Sequence, residues 1–348
     1  MSIQPQWKQK YDGLKDYVAA NPEIHIDSNE LSIPEHLRAG FYERFDDIRN
    51  SFVDTVFTSL PFEMNSLCEN YTWVEKEITD SLELKRIDLP VDLSSFLHNP
   101  KESLTRGIFN RLFEMVQGKI SLEDFEQMAG YDLTVTASEL FRLGYESWAA
   151  LSISLLLEPD QAFSVSLDED FDPVVSELEE IAFGRQFHHS AKRIPEFILH
   201  SKKLDSYVAV KMPLVKEIGS YYLPYELPTK KLLRDHTGDT SSVLDYRVLF
   251  LSIFQDLNKI PVFADLFKRE INGPELMVEF LTEQDLSDKD EITQIQNRLN
   301  IMKPGKGSSI VLINSEPDSG INKPVEDIDI FKVGLDTPKL HQVIDKLL

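Results

Sequence analysis

One cysteine, a shortage of cations and the lack of any long apolar run stand out in this sequence, and each removes a class of protein. Cys68 has no second cysteine to pair with inside the chain, which fits a reducing compartment rather than a disulfide-stapled secreted domain. Its setting, Asn-Ser-Leu-Cys-Glu-Asn, reads as helix packing rather than as a catalytic thiol. Lys and Arg number 36 against 59 Asp and Glu, and the net charge of −23 repels nucleic acid and anionic lipid over most of the surface. Extended nucleic acid is therefore not an expected partner. The longest apolar run, residues 151–157, falls far short of the ~20 residues that span a bilayer, and residues 1–23 lack the apolar core of a secretory leader. The expectation is a soluble, cytoplasmic, acidic protein with no membrane partner.

What is present suffices for two cores. Single cores stop growing at ~250–300 residues, and this chain has 348, of which 42% are apolar. We expect an α+β protein with a mainly helical domain and short N-terminal hairpin over residues 1–160, and a mixed α/β domain over residues 161–348. Leu37, Phe41, Phe45, Ile48, Phe52 and Val56 recur at helical spacing behind Pro34. Before them, residues 23–34 alternate around a Ser-Asn turn and predict the hairpin. Further helices are expected at 61–82, 104–116, 122–129 and 136–157, with Ser121 and Asp124 capping the third of these. Beyond Pro159, residues 162–167 alternate as a strand, and Asp172-Pro173 predicts the cap and first turn of a helix to Phe187. Strands follow at 193–199, 207–212, 275–281, 308–314 and 327–333, with helices near 242–257, 288–301 and 338–347. Residues 315–327 read as a surface loop, and neither a repeat nor a low-complexity tract is present.

Three motifs invite a chemical reading that their context denies. Residues 304–309, Pro-Gly-Lys-Gly-Ser-Ser, lack the glycine spacing of a phosphate loop and stand in the order helix, loop, strand instead of strand, loop, helix. Asp235 beside His236 is a carboxylate next to an imidazole, yet no recognisable nucleophile accompanies it, and a local turn cap is the better reading. His188 and His189 are neighbours, so on a helix they diverge by about 100° instead of sharing a metal.

Residues 185–211 carry a sharper pattern. Glu177, Glu179 and Glu180 on an expected helix precede the strand Arg-Ile-Pro-Glu-Phe-Ile-Leu, a turn and the strand Tyr-Val-Ala-Val-Lys-Met. This order, with Pro195-Glu196 and then Lys211, resembles the PD-(D/E)xK nuclease-like core. The resemblance implies carboxylates that hold Mg or Mn and a lysine that assists an activated water, with Glu196 matching the first acid and Lys211 the lysine. The second acid falls on Ala209, so Glu180 or another carboxylate would have to supply that ligand.

Charge supports a milder reading of the same stretch. Residues 184–234 carry ten Lys or Arg against four Asp or Glu, a local +6, while the remainder of 161–348 carries −15. Phe197, Tyr207, Tyr221, Tyr222 and Tyr225 interleave with these cations, as in surfaces that hold a nucleic-acid backbone and its bases. Solvated strand lysines with core aromatics are the plainer explanation. The leading expectation is a non-catalytic binding or interaction protein without a cofactor, in which Lys192, Arg193, Lys202 and Lys203 meet a protein or a short anionic ligand. The alternative is a divalent-metal phosphodiesterase using Glu180, Glu196 and Lys211.

Overall fold

Apolar residues recurring every three to four positions turn the N-terminal part into helices, as their spacing predicts. The computed structural model describes residues 5–28, 30–57, 61–182, 192–212, 248–265, 268, 270–313 and 328–348. Within these, α1 (Gln6–Ala20) leads to the hairpin of β1 (His25–Ile26) and β2 (Leu31–Ser32), then to α2 (Glu35–Val56) and α3 (Pro61–Ser81). A short strand, β3 (Arg86–Asp88), precedes α4 (Val91–His98), α5 (Pro100–Gly107), α6 (Phe109–Val116) and α7 (Leu122–Leu156). Ser121 and Asp124 bond each other's backbone N–H at the start of α7, a reciprocal cap. The two helices expected at 122–129 and 136–157 are this one helix. Gly130 inside it costs about 1 kcal/mol relative to alanine, less than abandoning the continuous ladder. The single helix expected at 104–116 is instead broken at Ile108.

Two compact units result, Met1–Glu69 with Val91–Gly144 and Asn70–Pro90 with Tyr145–Leu348. An aromatic cluster centres the first unit: the Trp7 ring lies 5.2 Å from Phe52 and 5.5 Å from Phe125, and all three are buried. Cys68 packs in the same unit with its thiol toward the Phe96 carbonyl at 3.5 Å, and burial pushes its pKa up to about 11. It is a packing cysteine.

Strands build the second unit: β4 (Pro159–Leu167), β5 (Pro173–Glu177), β6 (Glu180–Ala182), β7 (Lys192–Arg193), β8 (Phe197–Ser201), β9 (Ser206–Lys211) and β10 (Val248–Phe254). After them come β11 (Ala264–Asp265), β12 (Glu270–Ile271), β13 (Leu276–Leu281), α8 (Lys289–Met302), β14 (Ser308–Leu312), β15 (Ile328–Lys332) and α9 (His341–Ile344). Eight of the strands form one sheet in the order β15-β14-β13-β10-β9-β8-β4-β5, antiparallel from β5 to β13 and parallel from β13 to β15. The α+β expectation holds.

Two expected helices are strands. Residues 173–182, read as the start of a helix to Phe187, form β5 and β6; residues 183–187 lie outside the described part. Asp172 closes the β4–β5 turn, receiving the Asp168 N–H on its carbonyl at 3.0 Å, so the Asp-Pro pair ends a hairpin instead of starting a helix. The run Val-Leu-Phe-Leu-Ser-Ile-Phe, read within a helix at 242–257, is the central strand β10 between β9 and β13. A fully buried strand has no alternation, and periodicity alone cannot tell it from a buried helix. Residues 242–247 and the expected loop 315–327 lie outside the described part.

The parallel step from β13 to β14 needs a crossover, and α8 supplies it, packing Ile295 onto Leu281, Ile310 and Leu312. Gly273 lets the chain pass the end of this helix, since a Cβ there would stand 1.7 Å from the Met302 carbonyl oxygen. Beneath the helix Arg298 donates to both oxygens of Glu279, at 3.2 and 2.5 Å, with their side chains 2% and 0% exposed. Leaving either charge unpaired costs about 3–5 kcal/mol. Arg298→Met therefore lowers the unfolding free energy measured in urea by that amount, and adding Glu279→Leu recovers most of it; a single variant as stable as wild type contradicts this account.

Candidate functional site

The site begins where β8 parts from β4. Their register ends with Ser164 opposite Phe197, although β4 continues to Leu167 in register with β5. Pro195 lacks an N–H for the ladder, and the next N–H, of Glu196, turns away to donate to the Val210 carbonyl on β9 at 2.8 Å. Upstream, Lys192 and Arg193 leave the sheet to pair with Asp265 and Ala264 of β11. The parting opens a cavity of about 920 Å³, whose described lining includes Val165, Leu167, Leu178, Ala182 and Ile194 as its apolar part.

A two-strand ribbon forms another wall. β3 and β6 pair in parallel with Arg86 opposite Glu180, which brings Lys85 and Arg86 to the cavity beside Glu179 and Glu180. Lys85 pairs with Glu179, and Arg86 donates to Glu180 at 2.9 Å. Glu196 also lines the cavity, and the register that sets Phe197 against Val210 places it opposite Lys211. Lys211 Nζ donates to Glu196 Oε1 at 2.7 Å, with the two side chains 9% and 2% exposed. Glu177 completes the acidic lining, giving four glutamates against two lining cations.

The residues of the phosphodiesterase reading are thus partly gathered: Glu180 and Glu196 share the cavity, and Lys211 holds Glu196. The helix expected to precede them is β5 and β6, so the order helix, strand, strand on which the nuclease-like resemblance rests is not the order found. Among the described residues no three His, Cys, Asp or Glu are grouped to hold a metal.

The four expected ligand-binding cations fall into two pairs. Lys202 and Lys203 occupy the turn after β8, whereas Lys192 and Arg193 precede its start. Their partner β11 follows Phe263, which packs against Val248 and Phe250 near the Lys211 end of the sheet. The length of β8, ~13 Å at ~3.3 Å per residue, lies between the pairs. Phe197 is buried in the core, and Tyr207 packs edge-on to His200 at 5.2 Å. Tyr221, Tyr222, Tyr225, His188, His189 and the 234–239 motif lie outside the described residues. Residues 304–309 do run helix, loop, strand, and Ser308 is buried with its hydroxyl toward the Met277 carbonyl.

Sequence reasoning missed Lys85 and Arg86, because a three-residue strand paired with one 94 positions away leaves no local signal. It also missed Asp160, whose Oδ1 lies 2.6 Å from His200 Nδ1 at the opposite end of β8. No family model, curated protein or solved structure matches this chain.

The Asp160 contact sets a pH dependence. The hydrogen bond to His200 holds the Asp160 carboxyl below the usual aspartate range, with the charges of His200 and Lys202 adding to the effect. Its stabilisation is present above the unfolded pKa of ~3.9 and is lost as pH falls through the lower folded value. A carbon-detected NMR titration should place Asp160 below that reference, and His200→Asn should raise it. An unmoved midpoint in the variant contradicts the assignment.

Proposed function

We propose that this chain is a non-catalytic binding protein and that the cavity beside β4 is its binding site. The observation that carries the reading is an apolar surface rimmed by charges that are already matched in place, Lys85 with Glu179, Arg86 with Glu180 and Lys211 with Glu196. Such a wall suits recognition, in which apolar area supplies affinity and fixed polar groups supply orientation. Of the two ligand classes expected, a protein partner is favoured over a short anion, because Lys192 and Arg193 stand a strand's length from Lys202 and Lys203. A net charge of −23 disfavours anionic membranes and extended nucleic acid as partners. A cytoplasmic setting suits the solitary packing cysteine.

The second reading keeps one specific support, the shared cavity of Glu180 and Glu196 with Lys211 in contact. Mg or Mn held by those carboxylates would activate water for phosphodiester hydrolysis. Against it, Lys211 neutralises Glu196 in a buried pair, and Ala209 offers no ligand.

Two assays separate the readings. Tagged wild type, Ala182→Trp and the double variant Lys202→Gln/Lys203→Gln are used to capture partners from source cells, with circular dichroism confirming the fold of each. A partner retained by the lysine variant and lost on filling the cavity is the expected result; loss only with the lysine variant moves the site to the turn. Calorimetry with Mn²⁺ and a plasmid-nicking assay should show neither binding nor cleavage. Saturable binding abolished by Glu196→Ala would reverse the order of the two readings.

A further inference from the structure

We infer that the cavity takes up an extended, basic segment of a partner protein as an added strand beside β4, an inference that rests on the cavity's being the binding site. Two hydrogen bonds show to which side β4 turns its backbone. Leu178 N–H donates to the Ala162 carbonyl at 3.2 Å and Asp168 N–H to the Asp172 carbonyl at 3.0 Å. The even-numbered residues of β4 therefore face β5, and the β4–β5 register runs unshifted between those two bonds. Pro173, which has no N–H to give, stands opposite the odd-numbered Leu167. Odd-numbered residues turn the other way. Phe163 faces Ile198 of β8, and Val165 and Leu167 face the place that β8 has left. Continued at the same register, β8 would set Glu196 against Val165 and Ile194 against Leu167; instead the Glu196 N–H goes to Val210. The N–H and C=O groups of Val165 and Leu167 thus have no strand partner on that side among the described residues. Val165, Leu167, Ile194 and Glu196 all line the cavity.

These backbone groups name the occupant. A sheet edge recognises main chain, and an extended segment repeats N–H and C=O at the spacing of a strand. Residues 165–167 offer ~10 Å of edge, which three residues of such a segment match. Every second side chain of the added strand then meets the apolar lining of Val165, Leu167, Leu178, Ala182 and Ile194. Charge sets the rest of its composition. Lys85, Arg86 and Lys211 are each matched with a glutamate, whereas Glu177 lines the cavity with no ion pair among the described residues. A rim with an acidic excess, in a chain of −23, favours Lys or Arg on the entering segment. A second copy of this chain is disfavoured on the same ground, because two such charges repel.

Amide exchange of the full chain, followed residue by residue by NMR, tests this. In the chain alone, Val165 and Leu167 should exchange at least ~tenfold faster than Ser164 and Ser166, whose N–H groups face β5. A synthetic peptide of alternating valine and lysine should slow the two fast amides and leave the two slow ones unchanged, and a valine-glutamate peptide should bind at least ~tenfold more weakly. Leu167→Pro removes an edge donor without taking a bond from β5, so it should weaken the valine-lysine peptide about tenfold. Leu167→Ala keeps the donor and should weaken it less, with circular dichroism confirming the fold of both variants. Slow exchange of Val165 and Leu167 in the chain alone, no binding of the valine-lysine peptide at millimolar concentration, or binding indifferent to Leu167→Pro would each overturn the inference. The reading beneath it fails separately. A captured partner lost on Ala182→Trp but indifferent to Leu167→Pro removes strand addition and leaves the cavity as the site, while indifference to both variants removes the site as well.

Discussion

The cavity exists because β8 cannot follow β4 past Phe197. Proline at 195 withdraws a donor from the ladder, and Glu196 sends its N–H to Val210 instead, so β4 runs on with only β5 beside it. That turn also drives the Glu196 carboxylate into a buried position, where only a cation can compensate it, and Lys211 stands opposite. A buried ion pair is weak evidence for stability, because desolvation offsets most of its attraction. Its value here is directional: with Lys211 fixed on Glu196, β8 has one way to leave the sheet, and Lys192 and Arg193 are led to β11.

The same rule governs a second buried pair of the second unit. Glu279 sits in the middle of β13, a wholly buried strand between β10 and β14 whose other residues are apolar, and Arg298 of the crossover helix covers it. In a chain of −23 the cations at these places are spent on internal matching. Of the described cations in residues 184–234, Lys211 is buried, Lys202 and Lys203 mark a turn, and Lys192 and Arg193 belong to a separate ribbon.

Elements with a clean period were legible in the sequence. The α2 stripe from Leu37 to Val56 and the strand at 206–211 lie where their spacing places them, and so does the hairpin at 25–32. Failures occurred where a local signal has two structural meanings. Asp172-Pro173 starts helices and also closes hairpins, and the apolar run of β10 serves a core helix as well as a central strand. The candidate site was half legible. Glu196 and Lys211 could be paired from residues 15 apart on adjacent strands, but Lys85 and Arg86 reach the cavity through a parallel pairing between distant segments, which no window of sequence reveals.

The central claim is that a partner enters the cavity beside β4. Amide hydrogen exchange of the chain alone and with its captured partner tests this most directly, because protection reports on named backbone segments. The account predicts slowed exchange at residues 85–88, 165–167 and 178–182, with the turn at 202–205 unchanged. Protection confined to that turn, with the cavity walls unaffected, would contradict it.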